Sequence, residues 1–95
     1  MAKIRDELER ASSSVADAVE TAPDEMKSGV QSLSSKLSSA FDSFEADAAE
    51  AEQHVRENID QFIADVEQLR ERADEETETH LQVARERLQE LKSKL

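Results

Sequence analysis

The two histidines, His54 and His80, are the side chains in this chain best suited to metal or proton chemistry. Each follows a glutamate by four positions, Glu50 and Glu76, which places both members of a pair on one helical face. A carboxylate-bridged metal centre in a helical bundle uses Glu-x-x-His, whereas alanine or threonine stands three residues before these histidines. Either pair has the spacing to hold a weakly bound divalent metal, but we favour the interpretation of both as surface contacts and predict no metal site.

Nucleophilic and acid–base catalysis are not indicated either. The nearest approach to a Ser-x-x-Lys motif places Lys36 four residues after Ser32 and two after Ser34. The 23 acidic residues offer many carboxylate pairs, but no segment implies a pocket that would bury one and shift its pKa. One glycine is too few for a phosphate-binding loop. We therefore predict no catalytic residue, no cofactor and no enzymatic activity.

The charge balance argues against nucleic acid as a partner. The net charge is −11, and the arginine pairs 70/72 and 85/87 lie among glutamates and aspartates, so no basic patch faces a phosphate backbone. There is no cysteine to form a disulfide. The first residues lack the apolar core of a secretory signal, and no apolar run approaches membrane-spanning length. We expect an intracellular, cytoplasmic protein, or one peripheral to a membrane or granule.

Composition predicts a single all-α domain over residues 1–95 with a thin core. Strong helix formers dominate, and there is one glycine and one proline. Of the 35 apolar residues 13 are alanine, while Leu, Ile, Val and Phe total 20. A highly charged chain with so few bulky side chains gains much of its stability from association.

The elements that would position these residues begin with two helices separated by Pro23. Apolar residues at alternating four- and three-residue steps predict a helix over residues 2–21, and the row is Ile4, Leu8, Ala11, Val15, Ala18 and Ala22. Proline suits the first turn of a new helix because its missing N–H and fixed φ are tolerated there. A break within residues 21–24 is predicted.

The second helix, predicted over residues 24–43, is bulky on one face and rich in serine on the other. Such a helix, with few charges, is suited to insert into lipid-packing defects. The candidate surface-insertion residues are Met26, Val30, Leu33, Leu37, Phe41 and Phe44. The alternative is a buried helix whose small serines permit close approach by its neighbours.

The remaining residues, 44–95, carry an eleven-residue apolar repeat, which favours one long, nearly straight helix of about 78 Å. A break near Ser43 or a hinge within residues 74–79 is an alternative to an unbroken helix. The predicted helix-interface residues are Phe44, Val55, Ile59, Phe62, Val66, Leu69, Leu81, Leu88 and Leu91.

These helices predict a helical hairpin or a three-helix bundle. Folding residues 2–43 back along the long helix would leave residues 81–95 uncovered, and exposed leucines at helical spacing mark a contact surface. We therefore expect self-association, as a homo-oligomer or with a partner helix, to complete the fold.

The eleven-residue blocks from Phe44 onward, with residues 83–92 (VARERLQELK), resemble the exchangeable apolipoproteins, the phasins and the late-embryogenesis-abundant class. This resemblance covers about half of the chain and implies an amphipathic coat on a lipid or granule surface. The chain departs from apolipoproteins in lacking their punctuating prolines. Residues 44–65 also carry seven acidic residues against Arg56 alone, which disfavours anionic membranes.

Two functions follow as hypotheses. The first is a non-enzymatic structural or scaffolding protein that acts through helix–helix association. The second is a peripheral amphipathic coat that binds a lipid or hydrophobic granule surface.

Overall fold

The computed structural model describes residues 4–95 as four consecutive α-helices. They are α1 (Ile4–Thr21), α2 (Asp24–Ala46), α3 (Ala48–Arg70) and α4 (Glu75–Lys94). The described residues are 91% helical and contain no strand, so the predicted all-α class is confirmed. Residues 2 and 3, where the first helix was predicted to begin, lie outside the described residues.

Pro23 separates α1 from α2, as the sequence predicts. Its φ of −67° and ψ of 158° place it just before the helix, and it contributes a carbonyl that accepts hydrogen bonds from the N–H groups of Met26 and Lys27. Because proline has no N–H to lose, it begins the helix at little cost. The predicted break within residues 21–24 is therefore confirmed.

The prediction of one long helix over residues 44–95 is wrong. Helix α2 continues past Phe44 to Ala46, Asp47 alone connects it to α3, and residues 71–74 separate α3 from α4. The suggested break near Ser43 lies four residues too early. The hinge suggested within residues 74–79 lies almost entirely inside α4, because the connection occupies residues 71–74.

Two aspartate caps explain these breaks. Asp47 has an extended backbone, and its carboxylate accepts a hydrogen bond of 3.1 Å from the N–H of Glu50. Asp74 repeats the arrangement, accepting from the N–H of Thr77 at 3.2 Å. Each carboxylate satisfies a backbone donor that has no partner within its helix, and its charge complements the positive helix start.

The helices form an up-down-up-down four-helix bundle rather than a hairpin or three-helix bundle. Helix α1 packs against α2 and α4, and α3 packs against the same two helices. The chain closes on itself antiparallel: the hydroxyls of Thr21 and Thr77 are 2.9 Å apart at one end, and Lys94 reaches Glu7 at the other. Short connections between antiparallel neighbours are typical of this architecture.

The core is built from one apolar row on each helix. Along α2 and α4 the buried positions advance by alternating four and three residues, the spacing of a left-handed helical bundle rather than of an eleven-residue repeat. The fully or nearly buried apolar residues are Leu8, Ala11, Val15, Ala18, Met26, Val30, Leu33, Leu37, Ala40, Ala51, Val55, Ile59, Phe62, Val66, Leu81, Ala84, Leu88 and Leu91.

The expectation that residues 81–95 would stay uncovered is also wrong. Leu81, Leu88 and Leu91 are completely buried because the break at residues 71–74 returns α4 alongside α1. Among the described residues the exposed large hydrophobic side chain is Val83, at 37%. A single chain therefore covers its own apolar rows.

Truncating a core ring tests this packing. Phe62 is 6% exposed, so Phe62→Ala removes buried ring surface and leaves a cavity. We expect the free energy of unfolding to fall by about 3–5 kcal/mol, measured by urea denaturation. The control, Val83→Ala, removes an exposed side chain and should change stability little. An unchanged denaturation midpoint for Phe62→Ala would contradict the assignment of this row to the core.

Candidate functional surface

The nine residues predicted to form helix interfaces lie inside this one chain. Seven are buried, whereas Phe44 and Leu69 are partly buried at the edge of the core. The seven buried residues are Val55, Ile59, Phe62, Val66, Leu81, Leu88 and Leu91. In the closed bundle this set packs the helices against one another, and it is not displayed to a partner.

The six candidate surface-insertion residues of α2 also face inward. Met26, Val30, Leu33 and Leu37 are buried, and Phe41 and Phe44 are partly buried. The Arg5 guanidinium lies 5.0 Å from the centre of the Phe41 ring, in a cation–π contact between α1 and α2. The opposite face of α2 carries the serines. Insertion of the apolar row into a surface would therefore require the bundle to open.

A shallow groove runs along the seam between α2 and α3. Three depressions of about 210, 440 and 330 Å³ follow one another along this seam and share lining residues, so they form one α2–α3 groove. At one end, a Cβ added to Gly29 would stand 3.1 Å from Leu69 Cδ2, so the two helices approach closely there. The central part is lined by Ser32, Ser35, Lys36, Ser39, Ala40, Ser43, His54, Asn58 and Phe62.

The α2–α3 and α3–α4 seams differ in the number of ion pairs that span them. One ion pair, Lys36 to Asp65 at 3.7 Å, spans the α2–α3 groove. Three ion pairs span the α3–α4 seam, and they are Arg85–Glu67, Arg70–Glu78 and Lys92–Asp60. The side chains of these pairs are between 21% and 76% exposed, so each pair contributes about 1 kcal/mol or less.

The histidines lie apart from each other in this arrangement. His54 is exposed in the groove, with Glu50 one turn before it, and His80 is half-buried on α4. Within residues 4–95, no group of three or more His, Cys, Asp or Glu side chains is placed to hold a metal ion. The interpretation of the Glu–His pairs as surface contacts stays a prediction.

Glu7 is a buried acidic side chain that sequence reasoning missed. It is 2% exposed, between α1 and α4. Its Oε1 accepts a hydrogen bond from Lys94 at 3.4 Å and lies 3.7 Å from the Arg10 guanidinium. Oε2 is buried without a hydrogen-bond partner among the described residues. The sequence did carry one indication of this burial. Glu7 follows Ile4 by three residues and precedes Ala11 by four, which places it on the apolar face of the helix.

Thr77 is the other buried polar residue of the described chain, and it connects two helix ends. Its hydroxyl oxygen lies 2.9 Å from that of Thr21 in α1, and its N–H donates to the Asp74 cap. Hydrogen bonds from the Thr77 side chain and backbone lower the pKa of Asp74 below its ordinary value of 3.8. The start of α4 is thus fixed both to its own cap and to the end of α1.

Together these features define a small, acidic, all-α protein folded as an antiparallel four-helix bundle with a polar exterior. None of the described helices combines the length and apolar character needed to cross a bilayer. Residues 3–94 match a family of unknown function, DUF7553, and the chain belongs to that family. No curated protein and no solved structure matches the chain.

The pH dependence of stability should report the Asp74 cap. Its lowered pKa means that the folded state holds this proton less readily than the unfolded state. The cap therefore stabilises the fold above the ordinary pKa of 3.8, and this contribution is lost as the pH falls through the lowered value. We expect Asp74→Asn to lower the melting temperature at neutral pH, with the difference from the unsubstituted protein shrinking in acid.

The matched control is Asp17→Asn, at an exposed aspartate within α1. Its melting temperature should differ little from that of the unsubstituted protein at neutral pH. Thermal denaturation across an acid titration measures both variants. A neutral-pH difference for Asp74→Asn that persists undiminished in acid would show that the charge of this cap does not stabilise α4.

Proposed function

We propose that this protein is a non-enzymatic scaffolding protein that acts by helix–helix association, through apolar rows that the closed bundle keeps inside. The observation that carries the proposal is the make-up of these rows. Every helix has one apolar face, and alanines occupy part of the core on all four helices: Ala11, Ala18, Ala40, Ala51 and Ala84. Alanine contributes little buried surface, so the closed chain gains only a modest stabilisation from each helix pair.

A thin core makes alternative pairings energetically accessible. An amphipathic helix that leaves its neighbours can regain an equivalent contact with a helix of another chain, because the same apolar row serves both. The closed exterior offers almost no bulky apolar side chain, with Val83 as the exposed example. Association would therefore follow local opening, and it would be concentration-dependent.

The charge of the chain sets the conditions for this association. Two copies with a net charge of −11 repel each other at long range, and salt screens that repulsion. A homo-oligomer should therefore form more readily at high ionic strength. A partner helix that carries net positive charge would show the opposite salt dependence.

A surface coat is the second candidate function, and α2 favours it. This helix holds four buried bulky residues on one face and mostly serine on the other, and Lys36 and Asp42 are its only charges between Gly29 and Phe44. An opened bundle would present that face to lipid or to a hydrophobic granule and rely on apolar insertion alone. The acidic surface disfavours anionic membranes, so a neutral surface is the appropriate target.

A dilution series tests the proposed association. We expect the melting temperature, followed by circular dichroism, to rise with protein concentration, and sedimentation to show a monomer converting to a dimer or larger species. Raising the salt concentration should shift this conversion towards the associated form. A monomer at every concentration and salt level, with a concentration-independent transition, would contradict self-association.

Flotation with neutral liposomes of two curvatures separates the second candidate. Binding that strengthens with curvature and preserves helicity would support a surface coat over a scaffold. If the protein neither associates nor floats with liposomes, both functions are wrong.

A further inference from the structure

The four helices contribute unequally to the core. Helix α1 has two buried bulky side chains, Leu8 and Val15, beside buried Ala11 and Ala18, and its Ile4 and Val19 pack partly buried against the core. By comparison, α2 and α3 each bury four bulky side chains and α4 buries three. Helix α1 therefore places the fewest bulky side chains in the fully covered part of the core, and small alanines occupy the remaining positions of its buried row.

Glu7 adds a penalty that applies only while α1 is docked. The carboxylate is desolvated, yet its two cationic neighbours keep much of their solvent: the Arg10 side chain is 57% exposed and that of Lys94 is 39% exposed. Oε2 receives no hydrogen bond from the described residues. A buried carboxylate that is incompletely paired costs more in lost hydration than it regains. Both oxygens would recover water when α1 leaves.

The connection between α1 and α2 allows α1 to leave the bundle while α2 stays in place. Only residues 22–23 join the two helices, and Pro23 prevents them from merging into one continuous helix. Short connections of this kind favour the exchange of an element between two chains. An exchanged element also keeps all of its contacts, whereas a detached element loses them.

We infer that α1 is a releasable helix, and that two copies of the chain exchange it reciprocally. On leaving, α1 exposes an apolar groove between α2 and α4, the two helices against which it packs. The α1 helix of a second copy fits this groove because it reproduces every contact of the original. This inference rests on the proposed association and specifies which helix carries it.

Hydrogen exchange of the full-length protein tests the release. Amides in the middle of α1 should exchange about tenfold faster or more than amides at positions 55–66 of α3, because α1 opens without global unfolding. Replacing the buried carboxylate by Glu7→Met should slow the α1 amides by about tenfold. The control, Glu9→Met, alters an exposed α1 residue and should leave them unchanged. Equal exchange rates in α1 and α3, or no slowing by Glu7→Met, would overturn the release.

A disulfide trap tests the exchange between copies. The hydroxyl oxygens of Ser12 in α1 and Ser38 in α2 are 3.3 Å apart, and the chain has no cysteine of its own. The double variant Ser12→Cys/Ser38→Cys can therefore form a disulfide between α1 and α2. This disulfide lies within one chain when α1 packs in its own bundle, and it joins two chains when α1 is exchanged. We expect disulfide-linked dimers after oxidation at high protein concentration and linked monomers after oxidation at high dilution.

The matched control is Ser13→Cys/Ser38→Cys, since Ser13 is exposed and lacks the contact that Ser12 makes. It measures dimers that form by chance collision. Linked monomers alone at every concentration would overturn the exchange of α1. If sedimentation nevertheless showed dimers of Ser12→Cys/Ser38→Cys, the proposed association would stand, and only the inference that α1 is the exchanged helix would be wrong. If no dimer formed by either method, both proposals would fall.

Discussion

The contact between α1 and α4 closes the bundle. These helices are the first and last of the chain, so their pairing is the one contact between neighbouring helices that no short connection enforces. Together with the α3–α4 contact it buries the leucine row of α4, including Leu81 and Leu88, and it closes the space between α2 and α4. If α1 were absent, the inner faces of two other helices would meet water. The α1–α4 contact also buries the Glu7 carboxylate, whose lost hydration weakens it.

Local backbone chemistry makes this closure possible. Pro23, Asp47 and Asp74 each mark the start of a helix, by a fixed φ or by a carboxylate cap. The resulting connections are short, which obliges consecutive helices to run antiparallel and places the start of α1 and the end of α4 on one side of the bundle. Three residues of modest individual energy thereby select a closed four-helix form over a long helix with an exposed stripe.

The sequence was sufficient for the fold class, the break at Pro23 and the identity of most core residues, because these depend on composition and on spacing along a helix. It was insufficient for the break at residues 71–74. The apolar row continues in helical phase from Val66 through Leu69 and Ala73 to Thr77, so spacing alone does not reveal that the chain turns there. The capping aspartates resemble the other acidic residues until the backbone is seen.

Glu7 illustrates the opposite difficulty. Its position within the row of α1 indicates burial, whereas its charge indicates exposure, and the helix geometry decides between the two. The groove between α2 and α3 was likewise beyond sequence analysis, because it depends on which helices become neighbours. Its serines were visible as a polar face, but their place beside His54 and Asn58 follows only from the antiparallel pairing of α2 with α3.

Small-angle X-ray scattering, extrapolated to zero concentration, tests the closed chain most directly. The closed bundle has a radius of gyration of 12.6 Å for its Cα atoms, and a compact chain of this length is expected at about 12 Å. A straight helix over residues 44–95, about 78 Å long, would by itself have a radius of gyration of about 22 Å. We predict a value near that of the closed bundle, allowing for the hydration shell. A value near or above that of the long helix would contradict closure within a single chain.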